Sequence, residues 1–185
     1  MSNNGIITVV VTGHRPDKID PEDKRYRFET QDMLRNFAHL TIESLSPIPS
    51  QFIIGMAQGW DMECASACVS LSIPYTCAIP FEGFESRWPE GAKKRYMKLL
   101  GWAKEVVMVS EGPHEIQKMM RRNCWMVDKI SELGLSAEDY VLALYNGQGK
   151  GGTAHCVDYA ERVRQVRVVN KWQEWLRFLG EERSK

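Results

Sequence analysis

Residues suited to binding a phosphate are concentrated at positions 147–153. Four glycines in this segment, at 147, 149, 151 and 152, stand between a predicted strand and a predicted helix. Glycine lets backbone N–H groups approach an anion closely because it has no Cβ. The helix expected to begin near Thr153 adds the positive end of its dipole, and Lys150 adds a charge. The spacing is not GxxxxGK[ST], the P-loop of nucleoside triphosphatases. The alternative is a flexible loop in which Thr153 only caps the helix.

A second turn of small residues precedes another predicted helix. Gly55, Ala57 and Gly59 are followed by Asp61. The glycines allow a ligand to approach the backbone, and the next helix points its N-terminus at the same place. We expect Asp61 either to hold a ribose hydroxyl or to cap the helix. The GxAxG pattern alone is a weak signal.

Charged and polar side chains near these turns add groups that recognise nucleotides. Arg15 and Arg122 carry guanidinium groups that pair with phosphate, and Asn123 is able to contact a ribose or a base. Arg121 fits a solvated helix face better than a ligand site. His14 directly follows a strand, and its alternatives are a general acid or base and a neutral hydrogen-bonding role.

Aromatic residues occupy the predicted loops. Trp60, Phe81, Phe84 and Trp88 are candidates for stacking on a nucleobase, a contact that contributes about 1–3 kcal/mol. The alternative is a lid whose rings pack on one another.

Cysteine chemistry is not indicated. The five cysteines include no CxxC pair, and Cys64 with Cys68 supply only two soft ligands, so we expect reduced, buried thiols and neither a metal nor a cofactor. His155 and Cys156 are neighbours on a predicted helix, where they rarely contact each other as a nucleophilic pair requires.

Short apolar runs alternate with helical patterns along the whole chain. Strands are predicted at residues 6–11, 52–54, 75–79, 106–109, 140–144 and 166–169. Helices are predicted after Asp20-Pro21 to about residue 45 (with Phe28 on its apolar stripe), and at residues 61–71, 92–103, 116–130 (ended by Gly134), 153–163 and 171–179.

This alternation predicts an α/β fold with one doubly wound, mainly parallel sheet that has helices on both faces. The segments that carry the polar, charged and aromatic residues named above each follow a predicted strand. Because parallel strands end at the same edge of a sheet, the turns should meet at its carboxyl edge, where open α/β sheets bind ligands. The order of the strands is not predicted.

Length and charge limit the function classes. The 185 residues predict a single domain, residues 1–185. Lys plus Arg and Asp plus Glu both number 24, so the net charge is zero, which argues against a duplex nucleic-acid clamp but not against a small anion site. We see neither a signal peptide nor a membrane-length apolar run, so no membrane partner and a cytoplasmic location are expected.

Together these motifs resemble the YpsA-like branch of the SLOG superfamily, which includes the DprA (Smf) and LOG proteins. The resemblance covers roughly residues 6–170. It rests on Thr12-Gly13-His14-Arg15-Pro16, on Gly55-Met56-Ala57-Gln58-Gly59-Trp60-Asp61, on Ile79-Pro80-Phe81, on Arg122-Asn123 with Met126-Val127-Asp128, and on Gly151-Gly152-Thr153. It implies a Rossmann-like nucleotide-binding fold. Several members are encoded by phages or belong to bacterial defence systems, where some sense nucleotide-derived signals.

The resemblance also defines an enzymatic alternative. LOG enzymes cleave the N-glycosidic bond of nucleoside monophosphates and carry PGGxGTxxE, whose glutamate acts in catalysis. Here Cys156 stands where that glutamate would be. Glu82, or else Glu63, is a weak candidate for a replacement from another loop.

Three function hypotheses follow. The first is a protein that binds a nucleotide or nucleotide-derived signal, of which an ADP-ribose type is one example, as a sensor or a sequestering protein. The predicted ligand-binding residues are Gly13, His14, Arg15, Gly55, Gly59, Asp61, Arg122, Asn123, Gly151, Gly152 and Thr153, with Trp60, Phe81 and Trp88 for stacking. The second is a LOG-type phosphoribohydrolase, and the third is a DprA-like partner of single-stranded DNA.

The last predicted helix bears on oligomeric state. Trp172 and Trp175 lie on one side of it with apolar neighbours. This stripe is either the face of a homodimer or the surface by which the helix packs on its own sheet.

Overall fold

The centre of the molecule is a sheet of six parallel strands. The computed structural model describes residues 6–112, 115–132 and 138–185. The strands are β1 (Thr8–Gly13), β2 (Gln51–Ile54), β3 (Tyr75–Ile79), β4 (Glu105–Met108), β5 (Tyr140–Leu144) and β6 (Arg167–Asn170). Their order is β4-β3-β2-β1-β5-β6, and every neighbouring pair is parallel. The predicted parallel sheet is confirmed.

Helices connect the strands. They are α1 (Pro16–Ile19), α2 (Phe28–Glu43), α3 (Trp60–Ser70), α4 (Glu90–Trp102), α5 (Ile116–Glu132), α6 (Gly152–Asp158) and α7 (Trp172–Arg183). A π-helical turn, Tyr159–Val163, extends α6, so the helix predicted over residues 153–163 is only partly α-helical. Gly134, the predicted end of α5, lies outside the described residues. Within the described ranges, no helix is both long enough and apolar enough to cross a bilayer.

Both faces of the sheet are covered, as predicted. Successive side chains of a strand point to opposite faces. Val9 and Val11 of β1 therefore join the core formed with α2, α3, α4 and α7, whereas Val10 packs with Met126 of α5 and Ala160 after α6. The architecture is Rossmann-like.

The strand order creates a switch point beside β1. The chain adds β2, β3 and β4 on one side of β1 and then crosses to place β5 and β6 on the other side. The connections after β1 and β5 leave the sheet in different directions, which opens a crevice between their carboxyl ends. The fold thus places the turns after residues 13 and 144 next to each other.

The predicted helix start at Asp20-Pro21 is wrong. Asp20 instead ends α1, and α2 begins at Phe28. The Asp20 carboxylate is buried, where it accepts a hydrogen bond from the N–H of Glu22 at 3.0 Å and pairs with Arg183 of α7. Because the Asp20 side chain pairs with a residue far away in the sequence, it does not cap a helix as the local pattern predicts. Phe28 is 71% exposed and does not belong to the apolar stripe of α2.

The C-terminal helix uses its tryptophans internally. Trp175 is fully buried, and its Nε1–H donates to the carbonyl oxygen of Ile19 at 2.8 Å. Trp172 is also buried and meets the ring of His14 edge to face. Both tryptophans therefore pack on the protein's own core, which is the second of the two alternatives given for this stripe.

Candidate functional site

A pocket of about 380 Å³ opens at the switch point between β1 and β5. That volume lies in the range of small-molecule sites. We call it the switch-point pocket. Its lining residues are Thr12, Gly13, His14, Arg15, Asp17, Lys18, Ala57, Asp61, Ile116, Met119, Met120, Arg122, Asn123, Tyr145, Gln148, Lys150, Gly151, Gly152, Thr153 and Ala154. The predicted ligand-binding residues are thus brought together in this lining, with the exception of Gly55 and Gly59.

Those two glycines make room for protein groups rather than lining the pocket. A Cβ on Gly55 would lie 2.3 Å from Nη1 of Arg122, and a Cβ on Gly59 would lie 2.5 Å from the carbonyl oxygen of His14. Gly59 also has a φ of +92°, which favours glycine. Gly13 behaves similarly, since its Cβ would lie 2.4 Å from the Trp60 ring. The small residues therefore set the close contacts between elements that shape the pocket.

Arg122 is a fixed cation at the base of the pocket. It is 6% exposed, and its Nη1 donates to the carbonyl oxygens of Gly55 and Ala78. Its Nε donates to Oδ1 of Asn123 at 2.9 Å. Burial lowers the pKa of Arg122, which nevertheless stays charged because arginine starts so high. Bonds to the residue after β2, to β3 and to the neighbouring Asn123 hold the guanidinium in one orientation before any ligand arrives.

Asp61 is a buried carboxylate in the pocket lining. It is 4% exposed, and Oδ2 accepts from the N–H of Ala57 at 3.3 Å. Oδ1 is buried with no hydrogen-bond partner in the described part of the chain. Burial raises the pKa of Asp61 to about 6, although the nearby Arg122 acts in the opposite direction. One oxygen thus serves the turn before α3, while the other is buried without a hydrogen-bond donor among the described residues.

His14 joins the turn after β1 to the turn after β5. Its Nε2 accepts a hydrogen bond from the backbone N–H of Asn146 at 3.0 Å, and burial lowers its pKa. An accepting Nε2 places the ring proton on Nδ1 and keeps the imidazole neutral. This geometry matches the neutral hydrogen-bonding alternative for His14.

The glycine-rich segment is anchored at its end. The Thr153 hydroxyl donates to the carbonyl oxygen of Gly13 at 2.8 Å, and Nδ2 of Asn123 donates to that of Gly152 at 2.8 Å. α6 begins at Gly152 after Gly151, so Thr153 is not the N-cap. Gly147 and Gly149 are exposed and lie outside the pocket lining.

The rim carries mobile charges of both signs. Arg15, Lys18 and Lys150 are exposed, as is Asp17. Nη2 of Arg15 lies 3.2 Å from Sδ of Met119 on α5. Sequence reasoning missed Asp17 and Lys18 because it placed no helix directly after Pro16.

The predicted stacking residues lie outside the switch-point pocket. Trp60 is fully buried in the core, and Phe81 is 2% exposed. Phe81, Phe84, Trp88 and Tyr96 form an aromatic cluster with edge-to-face contacts 5.0–6.5 Å between ring centres. The guanidinium of Arg122 lies 5.9 Å from the Phe84 ring centre, so this cluster supports the pocket from behind. In this structure Phe81 and Trp88 pack against other aromatic rings, as the alternative to base stacking predicts.

The carboxylates proposed as catalytic replacements are also elsewhere. Glu82 is exposed and does not line the pocket. Glu63 is fully buried and paired with Arg95 and, at 3.3 Å, with Arg35. Cys156 is buried, and burial raises its pKa to about 12, which leaves the thiol protonated and unreactive at neutral pH.

Sequence reasoning also missed an apolar wall. Ile116, Met119 and Met120 of α5 line the pocket, and their spacing of three and four residues places them on one helix face with Asn123. The spacing of these three apolar residues is visible in the sequence and could have indicated this wall. Tyr145 is a further lining residue, directly after β5. In the described ranges, no group of three or more His, Cys, Asp or Glu residues is arranged to hold a metal ion.

Comparisons with known proteins identify the family to which the chain belongs. A curated relative, the uncharacterized SPbeta prophage-derived protein YoqJ of Bacillus subtilis (strain 168), is 29% identical over 130 residues, which cover 61% of this chain and 70% of YoqJ. Among solved structures, DNA processing protein A (DprA) from Streptococcus pneumoniae matches with a TM-score of 0.43 and 15% identity, covering 92% of this chain. This chain spans 61% of that DprA chain. The model of the YspA SLOG family (YpsA) matches residues 9–171. Since that match spans most of the sequence, the chain belongs to the YspA SLOG family.

Proposed function

We propose that the switch-point pocket binds a nucleotide or a nucleotide-derived signal, with the chain acting as a sensor or a sequestering protein. The observation that carries this proposal is the convergence of Arg15, Lys18, Arg122 and Lys150 on one pocket at the switch point of a parallel sheet. Two acids, Asp17 and Asp61, share the lining, so cations exceed anions there by two although the whole chain is neutral. A phosphate-bearing ligand matches this excess.

The phosphate would lie beside Gly151 and Gly152, between Arg15 and Lys150. Gly152 is uncrowded, since an added Cβ would make only an ordinary van der Waals contact, 3.7 Å from Nδ2 of Asn123. Lys18 approaches Gly151 from α1, with Nζ 3.9 Å from the position of a Cβ there. Several exposed cations around an uncrowded backbone suit a ligand with a phosphate or pyrophosphate better than a ligand with a single carboxylate.

The sugar would lie over Asp61. Its unpartnered Oδ1 is a strong acceptor with a vacancy for a donor, and a ribose hydroxyl supplies one. Burying this oxygen without a donor is costly, so a ligand that bonds to it gains more than it would from an exposed carboxylate.

Calorimetry with a panel of related ligands tests the proposal. We expect AMP, ADP or ADP-ribose to bind and adenosine, which lacks phosphate, to bind much more weakly. Arg15→Gln and Lys150→Gln should each weaken binding about tenfold, whereas Arg121→Gln, exposed on α5 and outside the lining, should not. Absence of binding across nucleotides, dinucleotides and the small molecules that co-purify with the protein would refute the proposal.

One observation also favours an enzyme, a nucleotide N-glycosidase, as a second candidate. Asp61 is a carboxylate in the pocket lining, with one oxygen that has no hydrogen-bond partner among the described residues and a pKa raised by burial to about 6. At neutral pH it would accept a proton from a water that adds to the ribose C1′. The C1′–N bond breaks, the base leaves with the bonding electrons and takes up a proton, and the products are free base and sugar phosphate.

Chromatography of AMP incubated with the protein distinguishes the two candidates. The enzyme candidate predicts release of adenine that is lost in Asp61→Asn and retained in Glu82→Gln, since Glu82 lies outside the pocket. If the protein binds several nucleotides and releases the base from none of them, the binding protein is supported and the enzyme is not.

A further inference from the structure

The apolar stripe of α5 is covered along only part of its length. Met126, Val127 and Ile130 are buried against the sheet. Toward the N-terminus the same helix carries Ile116, which is 67% exposed, and Met120, which is 40% exposed. Exposed apolar side chains of this size are unfavourable unless something covers them.

Both exposed side chains line the switch-point pocket. Met119 lies between them on the helix face, and its sulfur contacts Arg15. Gly151, Gly152 and the exposed Lys150 also line the pocket. The pocket therefore combines an apolar stretch at the N-terminal end of α5 with cations from α1, from the turns and from Arg122 further along α5, and Arg15 lies beside Met119.

We infer that the Ile116, Met119 and Met120 face of α5 is the subsite for the planar apolar part of the ligand, its nucleobase. The inference rests on the proposed function and adds the base-binding group to it. The combination of an apolar stretch and several cations in one pocket supports this occupant, because a nucleotide has one anionic end and one flat, weakly polar end. A second protein molecule is a poorer match, since the three apolar side chains line the same pocket as these cations.

Thioether side chains suit this role. A methionine sulfur makes favourable contacts with aromatic rings, and its flexible chain adapts to rings of different size. The aromatic cluster of Phe81, Phe84, Trp88 and Tyr96 is packed on itself and does not line the pocket. We therefore expect recognition of the base by shape and polarisability, with tolerance among purines.

A double variant, Ile116→Ala with Met120→Ala, tests the subsite. It should bind the preferred nucleotide about tenfold more weakly and ribose 5-phosphate, which has no base, with unchanged affinity. Met97→Ala is a matched control, since Met97 is 58% exposed on α4 and lies outside the pocket. Thermal melting would confirm that both variants fold.

A second measurement does not depend on weak affinities. In protein labelled at its methionine methyl groups, the nucleotide should shift the Met119 and Met120 NMR resonances through the ring current of the base. Ribose 5-phosphate should not shift them, and Met97 should stay unchanged with either ligand. Nucleotide binding that leaves both resonances and the double variant's affinity unaltered would overturn the subsite alone. A wild-type protein that binds no nucleotide would overturn the proposed function together with it.

Discussion

At the scale of single residues, glycines act in two different ways in the pocket. Gly55 has no room for a side chain because Arg122 occupies that space, whereas a Cβ on Gly152 would make only an ordinary van der Waals contact with Asn123. Both stand in small-residue turns after strands, and the sequence assigned both to ligand binding. Only the distances to neighbouring atoms distinguish a glycine whose missing side chain leaves room for another protein group from a glycine that faces the pocket.

Gly55→Ala should therefore destabilise the fold. The new Cβ would lie 2.3 Å from Nη1 of Arg122, which is itself held by two backbone carbonyls. Overpacking of this kind costs about 1–3 kcal/mol. Gly101→Ala in α4, where a Cβ meets nothing within 4 Å, is the matched control and should be neutral or slightly stabilising. Equal denaturation midpoints for the two variants would contradict this assignment.

Gly152→Asp should abolish ligand binding and leave the fold intact. The backbone there accepts a Cβ, which would lie 3.7 Å from Nδ2 of Asn123. A carboxylate about 5 Å from a bound phosphate is unfavourable by about 3 kcal/mol at an effective dielectric of 20, or about 100-fold in affinity. Gly152→Ala adds the Cβ without the charge and should bind within a few-fold of wild type. Calorimetry on both variants checks the placement, which fails if the aspartate variant binds normally.

Asp61 should make stability depend on pH in an unusual direction. Its pKa in the folded protein, about 6, lies above the ordinary value of 3.8, so the folded state holds the proton more tightly. Ionisation of Asp61 therefore costs stability above pH 6, and this cost disappears as the pH falls from 6 toward 4. Asp61→Asn should be more stable than wild type at pH 8 by up to about 3 kcal/mol, with the difference shrinking by pH 4. Urea unfolding at several pH values measures it, and a constant difference would show that Asp61 has an ordinary pKa.

At the scale of elements, the pocket depends on contacts between turns that are far apart in sequence. His14 bonds to Asn146, and Thr153 bonds to the carbonyl of Gly13. These bonds fix the β1 turn against the β5 turn and α6. The sequence predicted that both turns reach the carboxyl edge but not that they are adjacent, because adjacency follows from the strand order.

Apart from α1, which was not predicted, and the start of α2, the predicted strand bounds and helix starts lie within two residues of the observed ones. β3 and β5 have the predicted bounds, since apolar runs between turn residues mark buried strands clearly. The helix start at Asp20 was wrong because Arg183, from the far end of the chain, pairs with that carboxylate. The stacking role of Trp60 was unsupported for a similar reason: its ring packs against Phe37 of α2, a contact that local sequence does not reveal.

Glu63 should stabilise the packing of α3 against α2 and α4 without affecting the ligand site. Its buried carboxylate is paired with Arg95 and Arg35, and it does not line the pocket. Arg95→Met leaves this buried carboxylate with one cationic partner, Arg35, beside hydrogen bonds from Tyr26 and Gln31, and should cost about 3 kcal/mol in stability. Arg35→Met should cost less, because Arg35 is 40% exposed and its Nε is 3.3 Å from the carboxylate. Urea unfolding ranks the two variants, and nucleotide affinity unchanged in both would show that Glu63 is structural.

At the scale of the whole molecule, zero net charge conceals an uneven distribution. Cations exceed acids in the switch-point pocket, and the remaining surface compensates for them. This arrangement favours a small anion over a long nucleic acid, which would need cations along an extended track. The parallel sheet supplies the frame, and its switch point determines where the charges meet.

A crystal structure of the protein with the nucleotide that calorimetry selects tests the central claim most directly. The account predicts ligand density in the switch-point pocket, with phosphate oxygens within hydrogen-bond distance of Arg15 or Lys150 and a sugar hydroxyl bonded to Oδ1 of Asp61. Density for the nucleotide anywhere else, such as over the aromatic cluster around Phe84, would contradict it.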